Sequence, residues 1–249
     1  MSLITSPQNP RLKAARRLHA KRERARSGRF LAEGEDLIAA AELAGRAPLE
    51  GYRLAGSGLG PPGFHDVERA ALAGISSLGS GTRVVGIYEQ RWGAPVGPLC
   101  VYLHGVGDPG NLGTVLRSAH AFGASCVAFG PGCADPHGAK AVRASMGAIF
   151  SVAIARVSSP PGELPGQLIA LDAAAGETLR APLERADVGV TLLVGAERDG
   201  LPEELLAASD RCARIPIAGD SLNAAMAATV ALYEMTRRGG WDIDTVPTS

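Results

Sequence analysis

The chain has 249 residues, 46% of them hydrophobic and 20% charged, with 25 basic residues balanced by 25 acidic ones. This is the composition of a globular protein with room for one large domain or two modest ones, and no apolar run approaches the roughly 18 to 20 residues of a membrane span. The opening MSLITSPQNPRLKAARR lacks the apolar core of a signal peptide, so the cytoplasm is the expected location.

In chain order, Asn9-Pro10 reads as an N-cap and first helical residue, opening a basic helix through about Arg26. Arg11, Lys13, Arg16, Arg17, Lys21, Arg22, Arg24, Arg26 and Arg29 fall in this region against the single acid Glu23, which leaves the rest of the chain acidic. So one-sided a block favours contact with a polyanion over a merely solvated helix face. Arg11, Lys13, Arg16, Arg17, Lys21, Arg22 and Arg24 are accordingly read as RNA-binding. Ser27-Gly28 breaks the helix, and a second one follows from about Glu35 to Ala44. Gly51 to Ala55 reads as a short strand, Asp66 to Leu72 as a weak helix, and Arg83 to Tyr88 as a strand. Trp92 to Pro98 is the best linker in the chain.

From Leu99 the pattern alternates strands and helices, which calls for a mostly parallel sheet covered on both faces. Strands are expected at Cys100–Leu103, Cys126–Phe129, Phe150–Ala155, Leu168–Leu171, Thr191–Val194 and Arg214–Ile217. Helices are expected at Leu112–Phe122 and Lys140–Ala148, after Pro202, and in a long run from Ala224. The loop Gly105 to Gly110 is not GxGxxG and holds Pro109, so a nicotinamide-dinucleotide site is rejected. Cys100, Cys126, Cys133 and Cys212 form no CxxC pair, and His19, His65, His104, His120 and His137 lack ligand spacing. No metal is expected, the thiols are read as buried, and His104 and His120 as hydrogen-bonding rather than basic.

Three stretches carry polar or glycine residues where α/β sheets keep their sites. Asn111-Leu112-Gly113-Thr114-Val115-Leu116-Arg117-Ser118-Ala119-His120-Ala121-Phe122-Gly123 resembles the first motif of the SpoU/TrmH branch of the SPOUT methyltransferases. Gly195-Ala196-Glu197-Arg198-Asp199-Gly200-Leu201 resembles the second, and Ser221-Leu222-Asn223-Ala224-Ala225 the third, with alanines where Val and Ser are usual. Arg143-Ala144-Ser145-Met146-Gly147-Ala148 is similar to the segment the family carries between the first two motifs. Residues 1–92, notably Ile4 to Leu37, resemble the family's L30e-like substrate-binding domain, with 93–98 as linker and 99–249 as the methyltransferase domain.

The resemblance implies a SPOUT fold with a C-terminal trefoil knot, a homodimer formed through the knotted domain, and S-adenosylmethionine as cofactor. The implied reaction methylates a ribose 2′-hydroxyl of RNA. The resemblance implies 23S rRNA as substrate ahead of tRNA, because a separate N-terminal domain is commoner among members that modify ribosomal RNA. It implies catalytic roles for Arg117, Asn111, Glu197, Ser221 and Asn223, with Glu197 able to orient Arg117. Arg117 positions and stabilises charge; proton removal by a guanidinium with pKa above roughly 12 stays open. Gly195, Glu197, Gly200, Leu201, Ile215, Ile217, Leu222 and Asn223 are implied cofactor residues. The alternative is a non-catalytic RNA-binding protein with a decayed domain, against which the intact motif residues argue.

Overall fold

The computed structural model describes residues 3–77, 81–158, 160–180, 189–219 and 221–238. The described residues divide into two compact units: 3–91 together with Asp135–Ser151, and Trp92–Ala134 together with 152–238.

In the first unit, helix α1 (Pro10–Arg17) starts on Asn9, whose side chain accepts the Arg11 N–H. Leu12 and Ala15 turn its apolar side inward. The single basic helix expected to Arg26 is in fact two, because the chain leaves α1 at Leu18 and restarts as α2 (Lys21–Ser27). Arg24 accounts for the break: its Nη1 donates to the carbonyls of Leu18 and His19, which the interrupted helix leaves without partners.

Strand β1 (Arg29–Glu33), helix α3 (Glu35–Leu43), strands β2 (Glu50–Leu54) and β3 (His65–Val67), helix α4 (Arg69–Ala73) and strand β4 (Val84–Glu89) follow. The sheet runs β1-β4-β2-β3; β4 is antiparallel to both neighbours, and β3 is parallel to β2. Asp66, expected in a helix, lies in β3 and bonds Arg53 across the pair at 2.8 Å. Leu12, Leu31, Tyr52, Leu72, Ile75 and Val85 form the core between sheet and helices.

Asp135–Ser151 brings two short helices to this unit, α6 (Ala139–Ala144) against β1 and α7 (Ala148–Ser151) against α3. The Phe150 ring meets Tyr88 edge-on with centroids 4.8 Å apart, and the His137 ring lies 4.7 Å from Phe30. Phe150 and Ser151, expected in a strand, belong to α7.

The second unit contains β5 (Leu99–Leu103), α5 (Pro109–Ala121), β6 (Cys126–Phe129), β7 (Ala153–Arg156), β8 (Gln167–Leu171), β9 (Glu177–Thr178), β10 (Val190–Val194), α8 (Glu203–Ala207), β11 (Arg211–Arg214) and α9 (Ala224–Arg238). Its sheet runs β7-β6-β5-β10-β8-β11-β9 with every pairing parallel. A parallel sheet needs cover on both faces, and β5 and β10, side by side at its centre, are buried throughout. Cys100 and Cys126 lie opposite each other on β5 and β6, wholly buried; Cys133 and Cys212 are only partly so. The strand expected at Arg214–Ile217 sits three residues earlier, leaving Ile215 to Ile217 as a loop.

Candidate active site

The site forms where β10 ends and where α5 and α9 begin. Val194 closes β10, and the chain turns back at once, with the Gly200 N–H donating to the Ala196 carbonyl at 3.0 Å. A Cβ on Gly195 would lie 2.2 Å from the Gly200 carbonyl carbon, so this loop closes only without a side chain there. Glu197 stands exposed at its tip.

Helix α5 begins earlier than expected. Asp108 is its N-cap, accepting the Asn111 N–H at 2.9 Å, and Pro109 fills the first helical position. Helix α9 is capped by Asn223, whose Oδ1 accepts the N–H groups of Ala225 and Met226 at 2.9 and 3.3 Å. Ser221 stays exposed ahead of it.

These starts place three side chains in one directed chain. Because Asn223 Oδ1 is held by the helix N-terminus, its Nδ2 faces Asn111, donating to Oδ1 at 3.0 Å. Asn111 is thereby oriented with its own Nδ2 toward Glu197, to which it donates a hydrogen bond. Each amide orientation follows from the one before it, so the α9 N-terminus sets a polarity that ends on a carboxylate acceptor. Neither the sequence nor its motifs signalled the direct contact of Asn111 with Asn223.

Arg117 does not join this chain. It is exposed and makes no hydrogen bond or ion pair among the described residues, and the Glu197 carboxylate expected to orient it is held by Asn111 instead. Six helical residues turn through about 600°, which leaves Arg117 about a third of a turn round α5 from Asn111. The neighbouring Ser118 meets Thr229 of α9 at 2.6 Å. His104, at the end of β5, bonds Tyr102 Oη through Nδ1 at 3.0 Å, and burial pulls its pKa below the usual histidine value.

Beside the Glu197 loop lies a cavity of about 380 Å³. Gly195, Glu197, Gly200, Leu201, Ile215, Ile217 and Leu222 line it, so every expected cofactor residue except Asn223 does so. The apolar Ile215-Pro216-Ile217 run, which imitates a strand, supplies wall rather than sheet. Asp172, directly after β8, also lines the cavity and was missed; an acid at the carboxyl end of a parallel strand was the available signal. Apolar walls with Asp172, Glu197 and Asp199 against Arg198 suit a ligand having a flat apolar part and a net positive charge. S-Adenosylmethionine answers both requirements. Among the described residues no group of three or more His, Cys, Asp or Glu side chains is arranged to hold a metal.

The basic residues of the first unit divide into two sets. Arg24, expected on RNA, is buried instead, with Nε and Nη2 both on Asp135 Oδ2 at 2.9 and 2.7 Å. Arg16 is spent on the carbonyls of Gly74 and Pro7, and Arg11 pairs with Glu50. Lys13, Arg17, Lys21 and Arg22 are exposed and form no ion pair among the described residues.

Residues 98–233 match the family described as SpoU rRNA Methylase, and residues 9–53 match the MRM3-like substrate binding domain. The chain belongs to the SpoU methylase family. The 23S rRNA (guanosine(2553)-2′-O)-methyltransferase RlmP of Bacillus subtilis is 26% identical over 94% of this chain and 99% of its own. Among solved structures, the AdoMet-bound rRNA methyltransferase from Sinorhizobium meliloti is 33% identical, covers 95% of this chain and 97% of its own, and superposes with a TM-score of 0.82. The SpoU methyltransferase AviRb from Streptomyces viridochromogenes, in complex with AdoMet, is 27% identical over 92% and 98%, with a TM-score of 0.80. Against uncharacterized tRNA/rRNA methyltransferases of Mycobacterium, 42% identical, the match spans 51% of their length. The mostly parallel α/β architecture read from the sequence is the fold of these SpoU structures.

Proposed function

We propose that this chain methylates a ribose 2′-hydroxyl of RNA, with 23S rRNA as the substrate, using S-adenosylmethionine bound in the cavity beside Glu197. The observation that carries the reading is the Asn223–Asn111–Glu197 chain at the junction of the three motif loops. When bound, the cofactor supplies a methyl activated by its positive sulfur. The chain's own residues must then hold the hydroxyl in line and take its proton. Glu197 is the carboxylate at the junction of the motif loops, and Asn111 is the donor that holds it. Arg117, exposed on α5 and without a protein partner among the described residues, is free to take the phosphate beside the target ribose. Two relatives support the substrate class, since B. subtilis RlmP is named for 2′-O-methylation of 23S rRNA and a Streptomyces viridochromogenes relative for the same at uridine 2479.

The knotted threading of the C-terminal part and a cytoplasmic site of action belong to the same reading. So does a homodimer through the second unit, supported by Met226, Val230 and Tyr233, which expose an apolar stripe at i, i+4 and i+7 of α9.

The test is methyl transfer from radiolabelled S-adenosylmethionine to a 23S rRNA transcript, followed by alkaline hydrolysis. Ribose methylation leaves the label in an alkali-stable dinucleotide; label in mononucleotides, or none at all, refutes the reading. Arg117→Ala is expected to abolish transfer while changing cofactor affinity less than threefold, as a residue outside the cavity should. Near-normal turnover by that variant removes Arg117 from the mechanism.

A further inference from the structure

The segment Arg143 to Ala148 has no part in the site described, yet it contains a non-glycine residue in the left-handed region. It forms the turn between α6 and α7 in the first unit, and Met146 sits there at φ 49. No other non-glycine residue among those described has a positive φ. The left-handed region crowds Cβ against the carbonyl, and glycine or asparagine would occupy it with less strain.

The turn is held so that it does not relax. Ser145 is fully buried and its hydroxyl donates to the Val142 carbonyl at 2.7 Å. The Met146 N–H reaches the Arg143 carbonyl, and the Ala148 N–H the Ser145 carbonyl, both at 3.0 Å. Behind them Gly147, at φ 93, rests on α3 so closely that a Cβ would stand 2.4 Å from the Ala40 Cβ. What this framework holds outward is the Met146 side chain, 52% exposed, and the exposed guanidinium of Arg143 three residues before it.

Met146 leaves about half of its apolar surface in water, and Arg143 has no ion pair among the described residues. The nearby Glu33 carboxylate is already taken by the hydroxyls of Ser76 and Ser77 and the Ser77 N–H. Strain maintained by surrounding structure marks a place where geometry serves a ligand. An apolar contact next to a free cation suits a ligand with a flat apolar face and an attached anion, and an unstacked nucleotide is such a ligand. Lys13, Arg17, Lys21 and Arg22, exposed on the same unit, add the field that would draw it in.

We propose that the Arg143–Met146 turn is an RNA contact, in which Met146 packs against the face of an unstacked base and Arg143 pairs with a phosphate. The proposal rests on the RNA-methyltransferase reading above and adds a contact outside the methyl-transfer site.

The experiment compares the full chain with Met146→Gly and Arg143→Gln, using a 23S rRNA transcript as probe over a range of KCl concentrations. Melting temperature and S-adenosylmethionine affinity are measured in parallel. Met146→Gly relieves the backbone, so its melting temperature should hold or rise while RNA affinity falls about tenfold, as when one base is left without its stacking platform. Arg143→Gln should lower affinity and make the log–log salt slope shallower by about 0.7 to 0.9. Cofactor affinity should stay within twofold for both. If the wild-type protein binds and methylates the transcript and both variants match it in affinity and slope, this inference is wrong and the activity reading stands. If the wild type neither binds nor methylates the transcript, both fall.

Discussion

At the scale of single residues, Asn111 has the most demanding position, since it accepts from Asn223 and donates to Glu197 with the two ends of one amide. Asn111→Asp keeps the shape and removes the donor, setting two carboxylates against each other. Losing a hydrogen bond to a charged group costs about 1.5 to 3 kcal/mol, so kcat near pH 8 should drop roughly ten- to a hundredfold. Two adjacent carboxylates raise one of their apparent pKa values, and the proton they share as pH falls restores a donor. Activity of the variant should therefore recover toward lower pH, relative to wild type at each pH; a flat ratio across the profile would show that Asn111 acts in some other way. Glu197 and Asn223 stood out in the sequence through the resemblance of their motifs, because a loop acid or a capping asparagine is by itself ordinary structure. The link between them did not, because Asn111 and Asn223 are 112 positions apart.

Arg24 shows how one side chain shapes whole elements. Its guanidinium ends α1, starts the turn into α2, and fastens Asp135 at the head of the segment carrying α6. Arg24→Ala would leave Asp135 without its cation in a site where the two side chains are 7% and 13% exposed. Breaking a buried pair from one side costs about 3 to 5 kcal/mol, which chemical denaturation should register as a clear fall in midpoint. A loss below about 1 kcal/mol would mean that Arg24 is better solvated than its contacts indicate. In sequence Arg24 is indistinguishable from the exposed arginines on either side, because its counterion is 111 residues away. The misplaced strand at Arg214–Ile217 has a different origin. Two isoleucines around a proline have the apolarity of a buried strand, and here that apolarity faces the ligand cavity. Proline, having no N–H to give a ladder, was the clue against a strand.

For the whole molecule, the net charge of zero conceals a cationic set on the first unit. Neutralising Lys13, Arg17, Lys21 and Arg22 together should reduce RNA affinity and make the salt slope shallower by about 0.7 to 0.9 for each phosphate no longer neutralised. Cofactor affinity and melting temperature should be little changed, since none of the four is buried or paired among the described residues. Wild-type affinity and slope would mean that RNA is held elsewhere. The apolar stripe on α9 makes a second prediction at this scale. Light scattering should return a dimer at micromolar concentration, and Met226→Lys with Tyr233→Lys should convert it to monomer. A wild-type monomer would refute the dimer outright. The alternation of strands and helices made the parallel sheet readable, but no local pattern announces that Asp135–Ser151 leaves the run of the second unit to join the first.

That excursion bears on how the protein is made. A ribosome releases residues in order, and the first unit is not whole when Arg91 emerges. Phe30 and Tyr88 must wait for Phe150, and Arg24 for Asp135, while the early strands of the second unit are already being extruded. The N-terminal stretch thus passes its first seconds with an aromatic face and a charge uncovered. Its closure is a post-translational or late co-translational event, timed by the appearance of a helix encoded some sixty residues downstream.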